Sequence, residues 1–161
     1  MTSAHRLTPP GGERPLTQGE TLLVRAVFGD AIDPAPVRLK RRRFLPLQPP
    51  GTVMAPMGHL HFHPACPHWH ENFAQAPLAA QGLFVHEMVH VWQAQCKGRW
   101  WLPLMRHPFC RYAYRFEPGK PFERYGIEQQ AEIVRHAFLA ARRAPAPGAP
   151  PLDQLRSVLP F

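Results

Sequence analysis

The sequence contains no long hydrophobic run. No window approaches the roughly 18 consecutive apolar residues that a transmembrane helix requires. Residues 1–6 lead into prolines and glycines and lack the apolar stretch of a secretory signal peptide. These two absences predict a protein without a membrane span that stays in the cytoplasm, unless a route independent of a signal peptide exports it.

Cysteine is scarce. The three cysteines, Cys66, Cys96 and Cys110, are an odd and small set that does not suit a disulfide framework. Reduced thiols are typical of cytoplasmic proteins, because that compartment keeps cysteines reduced. The cysteine content therefore agrees with the cytoplasmic prediction.

Acidic residues are also few. The chain has 11 Asp and Glu against 19 Lys and Arg, a net charge of +8, which permits contact with nucleic acid, acidic protein or an anionic surface without selecting among them. The densest basic run, residues 40–43, is followed by one aromatic residue, Phe44, and belongs to no nucleic-acid-binding motif. We therefore interpret this run as a solvated strand edge, and nucleic acid is the less favoured partner.

Proline, by contrast, is abundant. The 21 prolines crowd the ends and the connections, while an apolar fraction of 45% is enough for a core. The sequence predicts one compact α+β domain over residues 16–143. It also predicts a disordered leader over residues 1–15, and a Pro-rich linker with a C-terminal tail over residues 144–161.

Local patterns predict the main elements of this domain. Thr17 and Glu20 form a capping box that begins a helix, and Gly98 suits the end of a longer one. Alternating residues indicate short strands, and a further short strand is expected near residues 112–115 of a long connection. The expected helices are 18–28, 78–97 and 126–143, and the expected strands are 37–40, 52–55 and 58–63.

The strongest functional signal is an H-E-x-x-H motif formed by His86, Glu87 and His90. On a helix, residues four apart project from the same face, so the two imidazoles can bind one metal ion with the carboxylate beside them. The surrounding run, residues 84–93, is apolar almost all round. This pattern predicts a buried helix whose few polar side chains face a metal site.

A catalytic zinc site needs a third protein ligand. The pattern H-E-x-x-H-x-x-G-x-x-H is excluded, because Gln93 and Cys96 occupy the positions of its glycine and last histidine. Glu128 on the last predicted helix is our assignment. Glu132, one turn later, is then expected to accept a hydrogen bond from a ligand histidine, and the reverse assignment of the two glutamates stays open.

Two other histidine groups have competing interpretations. His59, His61 and His63 share one face of a predicted strand, which is either a half-buried strand with a histidine face, a wall of the main cleft or a metal site of its own. The cluster Cys66-x-His68-x-His70 contains residue types that bind metals, at alternating positions. It has no second ligand pair at zinc-finger spacing, so a structural zinc there is disfavoured.

Residues 84–93 together with 125–132 resemble the zincin metallopeptidases of the gluzincin type, in which the first Glu of an E-x-x-x-[DE] helix is the third zinc ligand. More narrowly, the two segments are similar to compact bacterial zincin-like domains associated with contractile injection and type VI secretion loci, often called vgr-related. The resemblance covers about residues 20–140. It implies a small sheet, a buried H-E-x-x-H helix, a ligand-bearing C-terminal helix and Zn²⁺.

The expected activity is hydrolysis of peptide bonds by a zinc-activated water, with Glu87 as general base. Tyr125, His136 and Arg135 are expected donors to the oxyanion, and the strand around His59–His63 is expected to bind an extended peptide along its edge. The alternative function is a zinc-stabilised, non-catalytic accessory or binding module that contacts components of a secretion or injection apparatus. A basic nucleic-acid-associated protein is the third and least favoured function.

Overall fold

The structure is a computed structural model that describes residues 7–161. Within this range the chain forms a four-stranded sheet, five α-helices and two 3₁₀ helices, which confirms the α+β class. In the same range no helix combines the length and hydrophobicity needed to cross a membrane. The strands are β1 (Glu13–Pro15), β2 (Arg38–Lys40), β3 (Val53–Met54) and β4 (Leu60–Phe62). The helices are α1 (Gln18–Phe28), α2 (Leu78–Lys97), α3 (Trp101–Met105), α4 (Ile127–Ala141) and α5 (Leu152–Val158), with 3₁₀ turns at Phe73–Gln75 and Phe122–Arg124.

The sheet has the strand order β1-β2-β4-β3. β1 pairs antiparallel with β2, β2 pairs parallel with β4, and β4 pairs antiparallel with β3. The strand that carries His61 is therefore internal, with hydrogen-bonded neighbours on both sides. The expectation that this strand offers a free edge to a peptide is wrong, because β3 occupies that edge.

The predicted capping box of α1 is confirmed. The Thr17 side chain accepts from the Glu20 backbone N–H, and the Glu20 carboxylate accepts from the Thr17 backbone N–H. Glu20 is also fully buried, and its carboxylate accepts from both terminal nitrogens of Arg14 and from the backbone N–H of Phe73. One glutamate thus begins α1 and ties it to β1 and to the 3₁₀ turn before α2, at a place where an unpaired charge would be costly.

α2 is the central helix, with the bounds that the sequence predicts. Its buried residues lie on nearly every face, and it packs most extensively against α4. The two helices approach closely at Gly82, where an added Cβ would lie 3.3 Å from the Leu139 side chain. α2 ends before Gly98, which has a φ of 96° that L-residues rarely adopt. This close packing brings the polar residues of α2 next to those of α4.

The connection between α2 and α4 was predicted to contain a short strand, and it contains helical turns instead. It contains α3 and a 3₁₀ turn, and residues 112–115 form no strand. A short strand needs a partner, and residues 112–115 pair with none of the four strands of the described sheet. The strand prediction near Tyr112 is therefore wrong.

Both ends of the described chain pack on the domain more closely than expected. Thr8 is buried and bound to Glu71, and β1 extends the sheet, so residues 7–15 do not match the expected disordered leader, while residues 1–6 lie outside the described residues. At the other end α5 packs on α4, with Leu155 fully buried. The Phe161 ring packs against Phe28 and Trp92 at centroid distances of 4.9 and 5.4 Å. The expected C-terminal tail is thus a core element.

Candidate metal centre

Three buried side chains from two helices converge on one point. His86 and His90 project from α2, and Glu128 projects from the first turn of α4. Glu128 Oε2 lies 3.2 Å from His86 Nε2 and 3.1 Å from His90 Nε2. Zinc bonds of about 2.0–2.2 Å in a tetrahedral site require ligand atoms about 3.3 Å apart, so this donor set fits a zinc ion.

This trio is the only group of three or more His, Cys, Asp or Glu donors within 4.8 Å of one another in residues 7–161. His61 and His63 are buried but separately bonded: the His61 ring packs on Phe44 and His63 Nε2 lies 2.8 Å from Arg43 Nη2. Burial and the nearby Lys40 lower the pKa of His61 to about 4. β4 is buried on both faces, so it is not the half-buried strand that was expected. Neither the strand histidines nor the Cys66 cluster forms a metal site among the described residues.

The other nitrogen of each histidine also has a partner. His86 Nδ1 lies 2.7 Å from Glu132 Oε1, and His90 Nδ1 lies 2.8 Å from Gln93 Oε1. Both partner atoms are acceptors, so each Nδ1 carries the proton and each Nε2 faces the common point. Gln93 is held in turn, because its amide N–H groups donate to the Ile127 carbonyl and the Gln130 side chain.

Glu132 is the centre of a second network behind the trio. Its Oε1 also accepts from Arg135, and its Oε2 lies 3.2 Å from His136 Nε2. His136 Nδ1 is 2.7 Å from the Tyr114 hydroxyl. His136 therefore reaches His86 only through Glu132, and it holds that carboxylate in place.

These contacts set the charges of the metal-free site. Burial acts to lower the pKa of His86, but its hydrogen bonds with Glu128 and Glu132 outweigh burial and raise that pKa to about 9. Burial acts to raise the pKa of both glutamates, but their histidine partners hold each pKa well below its usual range. Burial raises the pKa of Glu87, which is the direction that suits a base working near neutral pH.

The raised pKa of His86 predicts a pH-dependent stability for the metal-free chain. A group whose pKa rises on folding stabilises the fold below its unfolded pKa, and that contribution disappears as the pH passes the folded pKa. The free energy of unfolding should therefore fall by up to about 3 kcal/mol as the pH rises from 6.5 through about 9. Urea unfolding of chelator-treated protein across this range measures the effect.

A His86→Gln variant is the control for this measurement, because it lacks the titrating group. Its stability should change less with pH over the same range. A parent chain whose stability is constant between pH 6.5 and about 9 would contradict the assignment.

Glu87 and His86 line an open cleft beside the trio. Residues of α2 and α4 form part of its lining, and residues 51–53, which include the start of the edge strand β3, form another part. Arg106 and Tyr112, from the connection after α2, complete the lining. The cleft thus has a carboxylate, a basic side chain and a phenol facing the same space, next to an unpaired strand edge.

Arg106 and Tyr112 are site residues that sequence reasoning missed. Arg106 Nη2 forms an ion pair with Glu128 Oε1 at 2.9 Å, although without hydrogen-bond alignment. The Tyr112 ring stacks on the His86 ring at 6.0 Å, with 19° between the planes. Neither residue lies in a periodic element, so no local signal marks it. Gln93 was also missed, but its position three residues after His90 on one helix is a signal that could have found it.

Tyr125 and His136, the expected oxyanion donors, do not lie together in the cleft. Tyr125 is buried in the core, where its hydroxyl accepts from the Glu117 backbone N–H. His136 lies behind Glu132, as described above. Arg135 does line the cleft, and Tyr112 takes the place at its wall that was expected for Tyr125.

No protein-family model matches the chain. The solved effector domain of Pseudomonas aeruginosa VgrG2b is 37% identical, with a TM-score of 0.70 over 96% of this chain and 83% of that one. The chain belongs to the VgrG2b effector-domain family.

The chain is also similar in sequence to part of a full-length spike protein. The chain is 43% identical over 133 residues to the type VI secretion system spike protein VgrG2b of Pseudomonas aeruginosa strain PAO1. The match covers 78% of this chain but only 13% of the spike protein. The expected resemblance to a type VI secretion-associated domain is therefore confirmed, and the chain corresponds to a small part of its relative.

Proposed function

We propose that this domain is a zinc-dependent metallopeptidase of the gluzincin type that acts as an effector linked to a type VI secretion system. The observation that carries the proposal is the placement of Glu87 beside three buried donors that lie within 4.8 Å of one another, at the wall of an open cleft. His86, His90 and Glu128 would hold the zinc. The ion would polarise a substrate carbonyl and lower the pKa of a water.

Glu87 is the general base in this proposal. It is adjacent to the trio, it lines the cleft, and its burial raises its pKa. A carboxylate with a raised pKa accepts the proton of the attacking water more readily and returns it to the leaving amine.

We assign the oxyanion-stabilising role to Arg106 and Tyr112 in place of Tyr125 and His136. Both side chains line the cleft and both donate hydrogen bonds. Arg106 stays charged, because the carboxylates of Glu128 and Glu87 raise its pKa despite partial burial. A fixed cation and a phenol at the same wall suit a carbonyl oxygen that gains negative charge.

Peptides are the proposed substrates because of the strand that borders the cleft. Residues 51–53 lead into β3, which pairs with β4 on one side and has its other edge free in the described sheet. An extended peptide can add to such an edge through backbone hydrogen bonds, which places its carbonyls near Glu87. Protein substrates would need an extended loop to bind in this way.

A zinc-stabilised module of the secretion apparatus is the second proposed function. It is supported by the relative, which is a spike protein of that apparatus. In this function the metal would join α2 to α4 and stabilise the domain, and components of the apparatus would be its partners. The fold and the metal are the same in both proposals, so cleavage separates them.

Metal analysis combined with peptide cleavage tests the proposed function. We expect about one zinc per chain in the purified protein and cleavage of a peptide library that stops with a chelator and returns with zinc. His86→Ala should lose both properties. The matched control His68→Ala changes an exposed histidine that lies outside α2 and α4 and should keep them.

The outcomes of this experiment divide the two proposals. A chain that binds zinc and cleaves no peptide would favour the secretion-apparatus module. A chain that binds no zinc would contradict both.

A further inference from the structure

The connection after α2 exposes an unusual amount of apolar surface. Nine large hydrophobic side chains are exposed in the described residues, and five of them lie within residues 100–112. Leu104 is 80% exposed and Phe109 is 83% exposed. The five are Trp100, Leu104, Met105, Phe109 and Tyr112. Met105 and Phe109 also line one surface cavity, together with Arg111. Exposed apolar side chains that lie together mark an interaction surface more often than scattered ones do.

The same stretch has charges of one sign. Residues 97–115, which we call the aromatic-basic segment, contain five Lys and Arg and no Asp or Glu. Arg106 is paired with Glu128, whereas the other four are exposed and form no ion pair among the described residues. These four are Lys97, Arg99, Arg111 and Arg115. The segment therefore presents unpaired positive charge beside its apolar side chains.

We propose that the aromatic-basic segment binds the surface of an anionic lipid bilayer. Exposed Trp, Phe and Leu side chains can enter the headgroup region, while neighbouring cations stay at the level of the lipid phosphates. Arg99 already lies over the Trp100 ring at 5.5 Å, a pairing that keeps the cation next to the aromatic ring. Anionic lipids attract such basic segments electrostatically, so the segment should bind neutral bilayers more weakly than anionic ones.

A bilayer suits this surface better than an acidic protein does. Protein interfaces are enriched in Arg, Met and aromatic residues, but their apolar side chains form a core that fills pockets on the partner and is surrounded by a polar rim. Here Trp100 is next to Arg99, and Phe109 and Tyr112 lie within two residues of Arg111, so unpaired cations alternate with exposed apolar side chains along the chain. A lipid surface accepts this mixture because it offers apolar and anionic groups at adjacent depths.

Binding of the segment would also position the cleft. Arg106 and Tyr112 belong to the segment and line the cleft wall. The cleft would then open close to the plane of the bilayer, where membrane-attached polypeptides are concentrated. The lipid contact itself needs neither zinc nor catalysis, because the exposed apolar side chains and the four unpaired cations are not metal ligands.

Vesicle binding by the whole chain tests this proposal. We expect the protein to sediment with vesicles of phosphatidylcholine and phosphatidylglycerol and to stay in solution with phosphatidylcholine alone. Brominated phosphatidylglycerol should quench its tryptophan fluorescence, and a Trp100→Leu variant should lose most of that quenching.

Two pairs of variants separate the apolar and the ionic parts. Leu104→Ser with Phe109→Ser should lower the partition coefficient at least about tenfold. Arg99→Glu with Arg111→Glu should lower it at least about 25-fold, because each basic residue contributes about fivefold. The matched control, Leu22→Ser with Arg156→Glu, changes an exposed leucine and an exposed arginine on α1 and α5 and should bind like the parent.

Zinc content and circular dichroism of every variant verify that the fold is retained. Equal binding to neutral and anionic vesicles, or an equal loss in the control pair, would overturn the proposal. It would also be overturned if the parent ignored vesicles and bound polyglutamate in a salt-sensitive way, since the segment would then be an acidic-protein interface.

Discussion

A Glu87→Gln variant should bind zinc as the parent does and cleave peptides about 10²- to 10⁴-fold more slowly, which is the usual contribution of a general base. The amide has nearly the same shape as the carboxylate but cannot accept the proton of the attacking water. The metal donors, His86, His90 and Glu128, are untouched by this change. Zinc content by elemental analysis and initial rates on one peptide found by the library screen measure the two effects.

Glu123→Gln is the matched control for this variant. It makes the same chemical change at an exposed glutamate in the 3₁₀ turn before α4, and it should leave the rate unchanged. A Glu87→Gln variant with the parental rate would contradict the assignment of Glu87 as base, even if zinc were bound.

Replacing Glu128 by Ala should have the largest effect on metal binding and on stability together. The variant loses one of three zinc donors, so its zinc affinity should fall more than about 100-fold, beyond the 10- to 100-fold typical of residues that only hold a ligand. Without metal, His86, His90 and Arg106 lose their common carboxylate. Breaking a buried ion pair in this way costs about 3–5 kcal/mol.

Zinc competition with a chelating dye and urea unfolding measure these two quantities. Glu132→Ala is the informative comparison, because Glu132 contacts His86 Nδ1 and not the common point. It should lower zinc affinity only about 10- to 100-fold. If Glu132→Ala lost more zinc affinity than Glu128→Ala, the reverse assignment of the two glutamates would be correct.

The helices that the sequence predicts best are those with local signals at their ends. α1 begins at the capping box of Thr17 and Glu20, and α2 ends at Gly98, so both have their predicted bounds. β2, β3 and β4 were predicted at the right places but one or more residues too long, because alternation of apolar residues continues past the last backbone hydrogen bond. β1 was not predicted, since it lies in the segment expected to be a disordered leader. The strand expected near Tyr112 was wrong because aromatic residues there pack on the site instead of on a sheet.

The site shows the same division between local and distant information. The spacing of His86 and His90 places both imidazoles on one face wherever the helix lies, and an E-x-x-x-E pair does the same for Glu128 and Glu132. That these two faces meet depends on the packing of α2 on α4, which no short pattern describes. Gln93 is an intermediate case. Its position one helical turn after His90 can be predicted from the sequence, whereas its contact with Gln130 on α4 cannot.

Sequence alone thus determined the α+β class, the main helices and the pair of motifs, because periodicity and capping act over one or two turns of chain. Only the tertiary structure decided that Arg106 and Tyr112 line the cleft, that Tyr125 is in the core, and that β3 forms the free edge. These features join residues far apart in sequence or lie in irregular connections. Their positions follow from the packing of the whole chain, which leaves no pattern in the residues themselves.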